Sequence, residues 1–311
     1  MVDILPLAKE FPASIDIGQG AHRYRFQRNW AKLPRGWMFH GPDKNARPPG
    51  IVSKGACAAN GEVFVISRSQ HPLVIFDPDG NFITSWGEGA FSSFVHGITI
   101  APDGRIWIVD SGYHEVTVHE PTGEEIKKLG RRDLPAPTYY GQPFNMPTDC
   151  AFAPNGDVYV SDGYGNRRVH CFSPEGKLKH SWGEPCAGGG AGAGPGQFAI
   201  VHFVQIDEQA RVWITDRDNH RIQIFDPSGK FLLEWKEFRM PSDLAFGRDA
   251  IYVGGQDGLS IWTRERRPII RWDRNDPYAG AFHIHGIWLD AAENIYIAQF
   301  DHMVSKLTRL A

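Results

Sequence analysis

Cysteine is scarce and unpatterned in this sequence. The four present, Cys57, Cys150, Cys171 and Cys186, include no CxxC pair and none of the density of a disulfide-built secreted domain. Free thiols in a reducing compartment are the expectation. An excess of either charge is missing too: the formal net charge is −3, so no basic surface for nucleic acid or for an anionic membrane is expected. No apolar run approaches a membrane span, and the first residues lack the basic-then-apolar order of a signal peptide. Long helical periodicity is absent as well. The expectation is a soluble, cytoplasmic protein without a nucleic-acid or membrane partner.

What is present is short alternation and tight turns, with 34 glycines and 22 prolines in 311 residues. The stretch from Phe198 to Phe225 reads as three short strands, Val204 to Ile206, Val212 to Thr215 and Arg221 to Phe225. They are separated by Asp207-Glu208-Gln209-Ala210 and Asp216-Arg217-Asp218-Asn219-His220. A fourth strand, Lys230 to Trp235, follows the turn Asp226-Pro227-Ser228-Gly229. The same four-strand unit recurs along the chain. Its second-turn residue falls at Gly61, Gly104, Gly156 and Ala210, with spacings of 43, 52 and 54 residues, near the roughly 40–50-residue period of a propeller blade.

Six units can be counted. The sixth, from His285 to Leu307, lacks an outer strand, while Tyr24 to Gln27 alternates like a lone strand with no hairpin partner nearby. The fold class is therefore all-β, a six-bladed β-propeller whose N-terminal strand closes the last blade and removes an exposed edge. Residues 1–35 are read as the segment that supplies the closing strand, and 36–311 as one propeller domain. Two connections, 131–147 and the glycine-rich 185–197, are long enough to be functional lids or plain disorder.

The chemistry is carried by one alignment column. Fourteen residues before the aspartate that follows the second strand stand His96 in unit two and His202 in unit four; His285 holds that place in unit six, with Gln299 at the aspartate position. Units one, three and five hold Ser53, Thr148 and Ser242. A lone histidine at a strand start is usually a structural hydrogen-bonder. Three in alternate blades, at the mouth of the strand that lines the channel, sit roughly 120° apart and can converge. Converging neutral imidazoles with an open fourth position describe a catalytic metal site.

Just after the aspartate position stand Arg68 in unit one and Arg217 in unit four, on blades that face each other across the axis; Tyr164 in unit three lies one place further on. Two guanidiniums and a phenol above a metal suit an anionic small-molecule substrate and proton transfer. Each of them alone reads as a blade-to-blade ion pair or as packing. His114, Arg168 and Arg221 precede third strands and read as scaffold. His283, two residues before His285, shares its face if the strand is regular. It is a fourth ligand, a hydrogen-bond donor behind the ligands or a substrate contact, and the last is preferred.

The run Asp216-Arg217-Asp218-Asn219-His220-Arg221-Ile222-Gln223-Ile224-Phe225 resembles the NHL repeat. Together, Pro147-Thr148-Asp149, Asp162-Gly163-Tyr164-Gly165-Asn166 and Trp182-Gly183-Glu184 resemble peptidyl-α-hydroxyglycine α-amidating lyases, which are six-bladed NHL propellers. The likeness runs from about Gly50 to the C-terminus and is dense over 94–235. It implies cleavage of the C–N bond of an α-hydroxyglycine amide to glyoxylate and a primary amide. The implied parts are zinc on His96, His202 and His285, Tyr164 as base, and Arg68 and Arg217 near the substrate.

Three features depart from the pattern. The cysteines of a disulfide in secreted members fall at Asn145 and Gly165. An aspartate that holds a structural calcium after the third histidine is Gly286, so calcium is doubtful, with only backbone carbonyls near Ala56 and Ile98 left as donors. A methionine that contacts substrate is His283. The expected function is thus a lyase using zinc, or another divalent transition metal, on a small α-hydroxy amide or hemiaminal-like anion. The alternatives are a metal-dependent hydrolase such as a lactonase, with metal-bound water as nucleophile, and a non-catalytic binding propeller.

Overall fold

A computed structural model describes residues 14–40, 51–136, 144–185, 194–272 and 282–310. Six antiparallel sheets surround a central channel, in an all-β six-bladed propeller. Blade four, for instance, runs outward through Val201–Ile206, Val212–Asp216, Arg221–Phe225 and Phe231–Trp235. The last blade contains Ile284–Leu289, Ile295–Gln299 and Val304–Arg309, and the N-terminal strand His22–Gln27 completes it. Tyr24 lies opposite Arg309, and Phe26 opposite Leu307. The ring is closed by main-chain pairing between the two ends of the chain, which leaves no open edge on the inner strands of that blade.

The closing strand is not alone, as the sequence suggested. Ser14–Gln19 forms a hairpin with it, so the closing sheet has five strands. Gly18 and Gly20 adopt positive φ at the turn, and a Cβ on Gly18 would lie 2.1 Å from the His22 carbonyl oxygen. Only glycine fits there. A short parallel pair, Glu184–Pro185 with Gln197–Phe198, brackets the glycine-rich connection. Residues 137–143 and 186–193, within the two long connections, lie outside the described residues, as does Cys186. Cys57, Cys150 and Cys171 are free.

Burial follows the stacking of blades rather than a single inside and outside. Six apolar clusters lie between neighbouring blades. In Val212–Asp216, Val212 and Ile214 face blade three, while Trp213 faces blade five and meets Trp235 and Phe246. The second and third strands are therefore buried on both faces, and only the outer strand keeps a wet side. The alternation in the sequence reports two different cores, not core and solvent. This packing makes the innermost strands a rigid wall for the channel.

Candidate metal centre

The innermost strands do not run regularly into the channel mouth. In blade two Val95 pairs with Asp110 and Gly97 with Val109, which leaves His96 as the extra residue of a β-bulge. His202 and His285 are the extra residues of the same bulge in blades four and six, and Ser53 and Ser242 in blades one and five. A bulge re-aims one side chain without ending the strand. Here it turns three imidazoles onto the axis, with ring centroids 5.0 Å apart for His96 and His202, 4.8 Å for His96 and His285, and 5.0 Å for His202 and His285. Their ligand atoms all lie within 4.8 Å of one another.

Each ring is fixed by the next blade. His96 Nδ1 donates to the Thr148 carbonyl at 2.8 Å, His202 Nδ1 to Ser242 at 2.9 Å, and His285 Nδ1 to Ser53 at 2.7 Å. In return, the Ser53 hydroxyl donates to the Val95 carbonyl at 3.0 Å and Thr148 Oγ1 to Val201 at 2.8 Å. The alternation of histidine and hydroxyl residues in this column is thus a girdle of blade-to-blade hydrogen bonds. A carbonyl only accepts, so each Nδ1 carries the proton and each Nε2 keeps its lone pair. His202 Nε2 is buried without a partner among the described residues. Burial, reinforced by neighbouring histidine and arginine charges, holds all three imidazoles well below their ordinary pKa. Three neutral imidazoles whose ligand atoms lie within 4.8 Å of one another could hold a metal ion, and nitrogen donors of this kind suit a divalent transition metal.

The other sequence-singled residues gather at the mouth. The Tyr164 hydroxyl donates to His96 Nε2 at 3.0 Å. Gly163 makes this possible, because a Cβ there would lie 1.8 Å from the Val201 carbonyl oxygen. Arg68 is buried with its guanidinium 4.2 Å over the Phe94 ring, and Phe94 in turn stacks on Tyr164 at 5.3 Å. Burial lowers Arg68 to about 10, so it stays cationic at neutral pH. Arg217 lies 5.9 Å over the Tyr164 ring, and its Nε donates to Asp218 at 2.8 Å. Arg68 and Arg217 share a backbone bond as well as a column: their amides donate to Ile51 and Ile200 carbonyls.

That shared bond identifies a residue the sequence reading passed over. The Phe300 amide donates to the His283 carbonyl in the same way, and the Phe300 ring lies 5.2 Å from His285. Phe94 was missed too, since it lies in the connection between blades one and two. His283 precedes the strand, and the bulge at His285 interrupts the i, i+2 alternation. Its ring is not in the three-imidazole group, and its amide donates to Gln299 Oε1 at 3.2 Å. His114, Arg168 and Arg221 lie in blade scaffolding, Arg221 bonding Asp216 at 2.9 Å and Glu234 at 2.8 Å. Asn145 and Gly165 are in contact, the Gly165 amide donating to the Asn145 carbonyl at 3.0 Å.

One step deeper, the residues after the bulge form a second layer: Lys54, Gly97, Asp149, Phe203, Asp243 and Gly286. Phe203 touches all three imidazoles, with centroids at 5.3, 4.7 and 5.9 Å from His96, His202 and His285. The Lys54 ammonium lies 4.3 Å over that ring, 2.7 Å from Asp149 and 3.6 Å from Asp243. Burial disfavours the ammonium, but the two carboxylates outweigh it and hold Lys54 above its ordinary value. Burial pushes Asp149 up to about 7, against the pull of Lys54 and with the Asp243 charge adding to it.

The NHL repeat family model matches residues 144–172. The peptidyl-glycine alpha-amidating monooxygenase of Mus musculus is 34% identical over 187 residues, 58% of this chain and 18% of that protein. The peptidyl-alpha-hydroxyglycine alpha-amidating lyase 1 of Drosophila melanogaster is 34% identical over 202 residues, 60% of this chain and 37% of that one. The NHL repeat-containing protein 3 of Homo sapiens is 28% identical over 249 residues, 74% of this chain and 67% of that one. The chain spans under a fifth of the length of the mouse relative, 18%. The chain is a six-bladed propeller with an NHL-repeat match over residues 144–172, and it is similar over part of its length to these proteins.

Proposed function

We propose that this chain is a metal-dependent lyase that breaks the C–N bond of an α-hydroxyglycine amide, or of a similarly small, anionic α-hydroxy amide. The observation that carries the reading is the meeting of three neutral imidazoles with the Tyr164 hydroxyl 3.0 Å from His96 Nε2, under two guanidiniums. Similarity to the Drosophila lyase supports it. Held by His96, His202 and His285, zinc or another divalent transition metal would supply Lewis acidity to the substrate hydroxyl.

The chain's own groups do the rest. Tyr164, acting as the phenolate, takes the hydroxyl proton as the C–N bond breaks. The bonding pair leaves with nitrogen, which receives that same proton back from the Tyr164 hydroxyl to become the primary amide, while the carbon becomes the aldehyde of glyoxylate. Arg68 and Arg217, cations carried by blades one and four beside Phe94 and Tyr164, hold the carboxylate and the developing charge. Phe94 and Phe300 supply apolar walls that keep water from the reacting carbon.

The test is incubation of the metal-loaded protein with an N-acyl-α-hydroxyglycine, with glyoxylate and amide both quantified. Equimolar release above the spontaneous rate is expected, and absence of release would sink the reading. A hydrolase acting through bound water would tolerate Tyr164→Phe, whereas this lyase would not.

A further inference from the structure

The second layer of the channel holds three charges sealed from water. Lys54, Asp149 and Asp243 come from blades one, three and five, the blades that do not carry the imidazoles. All three are buried, with no more than 3% of any residue exposed. Removing charges from water is costly, so a buried carboxylate pair persists only beside a cation. Asp243 is further satisfied by the Leu244 and Ile287 amides at 2.8 and 3.0 Å. Asp149 Oδ1 has no partner among the described residues and faces Gly97, where a Cβ would lie 2.9 Å from it.

We propose that the Lys54 ammonium is a built-in axial cation that, by drawing Asp149 and Asp243 together, positions the three-histidine centre from below. The link upward is one peptide long. The carbonyls that accept from His285, His96 and His202 belong to Ser53, Thr148 and Ser242, the residues immediately before Lys54, Asp149 and Asp243. Pulling the three charged side chains together therefore sets the carbonyls that fix the imidazole tautomers. Phe203, in the same layer, packs its ring against the imidazoles and takes the ammonium over it at 4.3 Å.

Truncating Lys54 would leave two carboxylates and a space as long as the lost stem, a set of hard oxygen donors suited to calcium. The experiment titrates CaCl2 into wild type and Lys54→Ala, reading melting temperature and bound calcium per chain. Wild type should shift by less than about 1 °C. Lys54→Ala should melt about 10 °C lower, bind one calcium, and recover about 5 °C at a hundredfold excess over its dissociation constant. A variant indifferent to calcium, or a wild type that responds equally, would overturn the proposal.

If Lys54→Ala is insoluble, Lys54→Met/Asp149→Asn/Asp243→Asn removes all three charges together. It should fold and ignore calcium; failure of this variant to fold also overturns the proposal. The positioning role rests on the metal reading above and has its own measurement. Zinc affinity of Lys54→Ala should fall 10- to 100-fold and return when calcium is added, which a merely structural loss would not do. Should wild type bind no zinc at all, the function reading fails, while the calcium titration still decides the role of Lys54.

Discussion

His285 Nδ1 donates to the Ser53 carbonyl at 2.7 Å, a bond between residues 232 positions apart that ties the last blade to the first. The same donation runs from His96 to blade three and from His202 to blade five. The imidazoles are thus held by ring closure and not by their own strands alone. Where blades slip, the centre is lost.

Ring closure can be tested at Phe26, which is fully buried and meets Phe282 edge-on at 5.3 Å. Phe26→Ala should cost about 3–5 kcal/mol in denaturant unfolding, the usual cost of emptying a large aromatic site. Phe82→Ala, on an outer strand and 37% exposed, should cost less than about 1 kcal/mol. Equal costs would mean the N-terminal strand is not part of the closed ring.

The imidazoles also set a pH dependence for the metal-free protein. Their folded pKa values lie well below the ordinary 6.5, so below that pH the unfolded chain binds protons that the folded one refuses. Stability present above pH 6.5 is lost as pH falls, by about 1.4 kcal/mol per pH unit for each histidine. Asp149, raised to about 7, works the other way, losing stability as pH rises toward that value. The clean comparison is with His96→Asn/His202→Asn/His285→Asn, in which the Asp149 contribution cancels. Wild type should lose up to about 4 kcal/mol more per pH unit below 6.5 than this variant. Parallel stability curves would contradict the assignment of neutral, buried rings.

Turnover should divide between the mouth residues. Tyr164→Phe should retain bound metal and lose about 10²- to 10⁴-fold in kcat, the range of a lost general base. Arg217→Ala should lower kcat/KM by about 10- to 100-fold, largely through KM, since it removes a charged contact to the carboxylate. Steady-state kinetics with glyoxylate detection separates the two. A Tyr164→Phe enzyme of near-normal kcat would remove the phenol from the chemistry.

Much of this architecture was legible because blades repeat. The period placed the strands, the missing outer strand of unit six pointed to the N-terminus, and one alignment column brought out His96, His202 and His285. The Ser14–Gln19 strand was not seen because no second copy of it exists to align. The bulge was also invisible: an extra residue leaves apolar spacing nearly unchanged while turning one side chain onto the axis, and it undid the face-sharing argument for His283. Lys54, Asp149 and Asp243 stood one place beyond the histidine column. A column reading Lys, Gly, Asp, Phe, Asp, Gly carries no chemical pattern until the depth of each residue in the channel is known.

The most direct measurement is the transition-metal content of purified wild type and His202→Ala after equilibration with zinc and gel filtration. One equivalent per chain in wild type and essentially none in His202→Ala is the expected result. Wild type that emerges metal-free, or His202→Ala that keeps a full equivalent, would contradict the three-histidine centre.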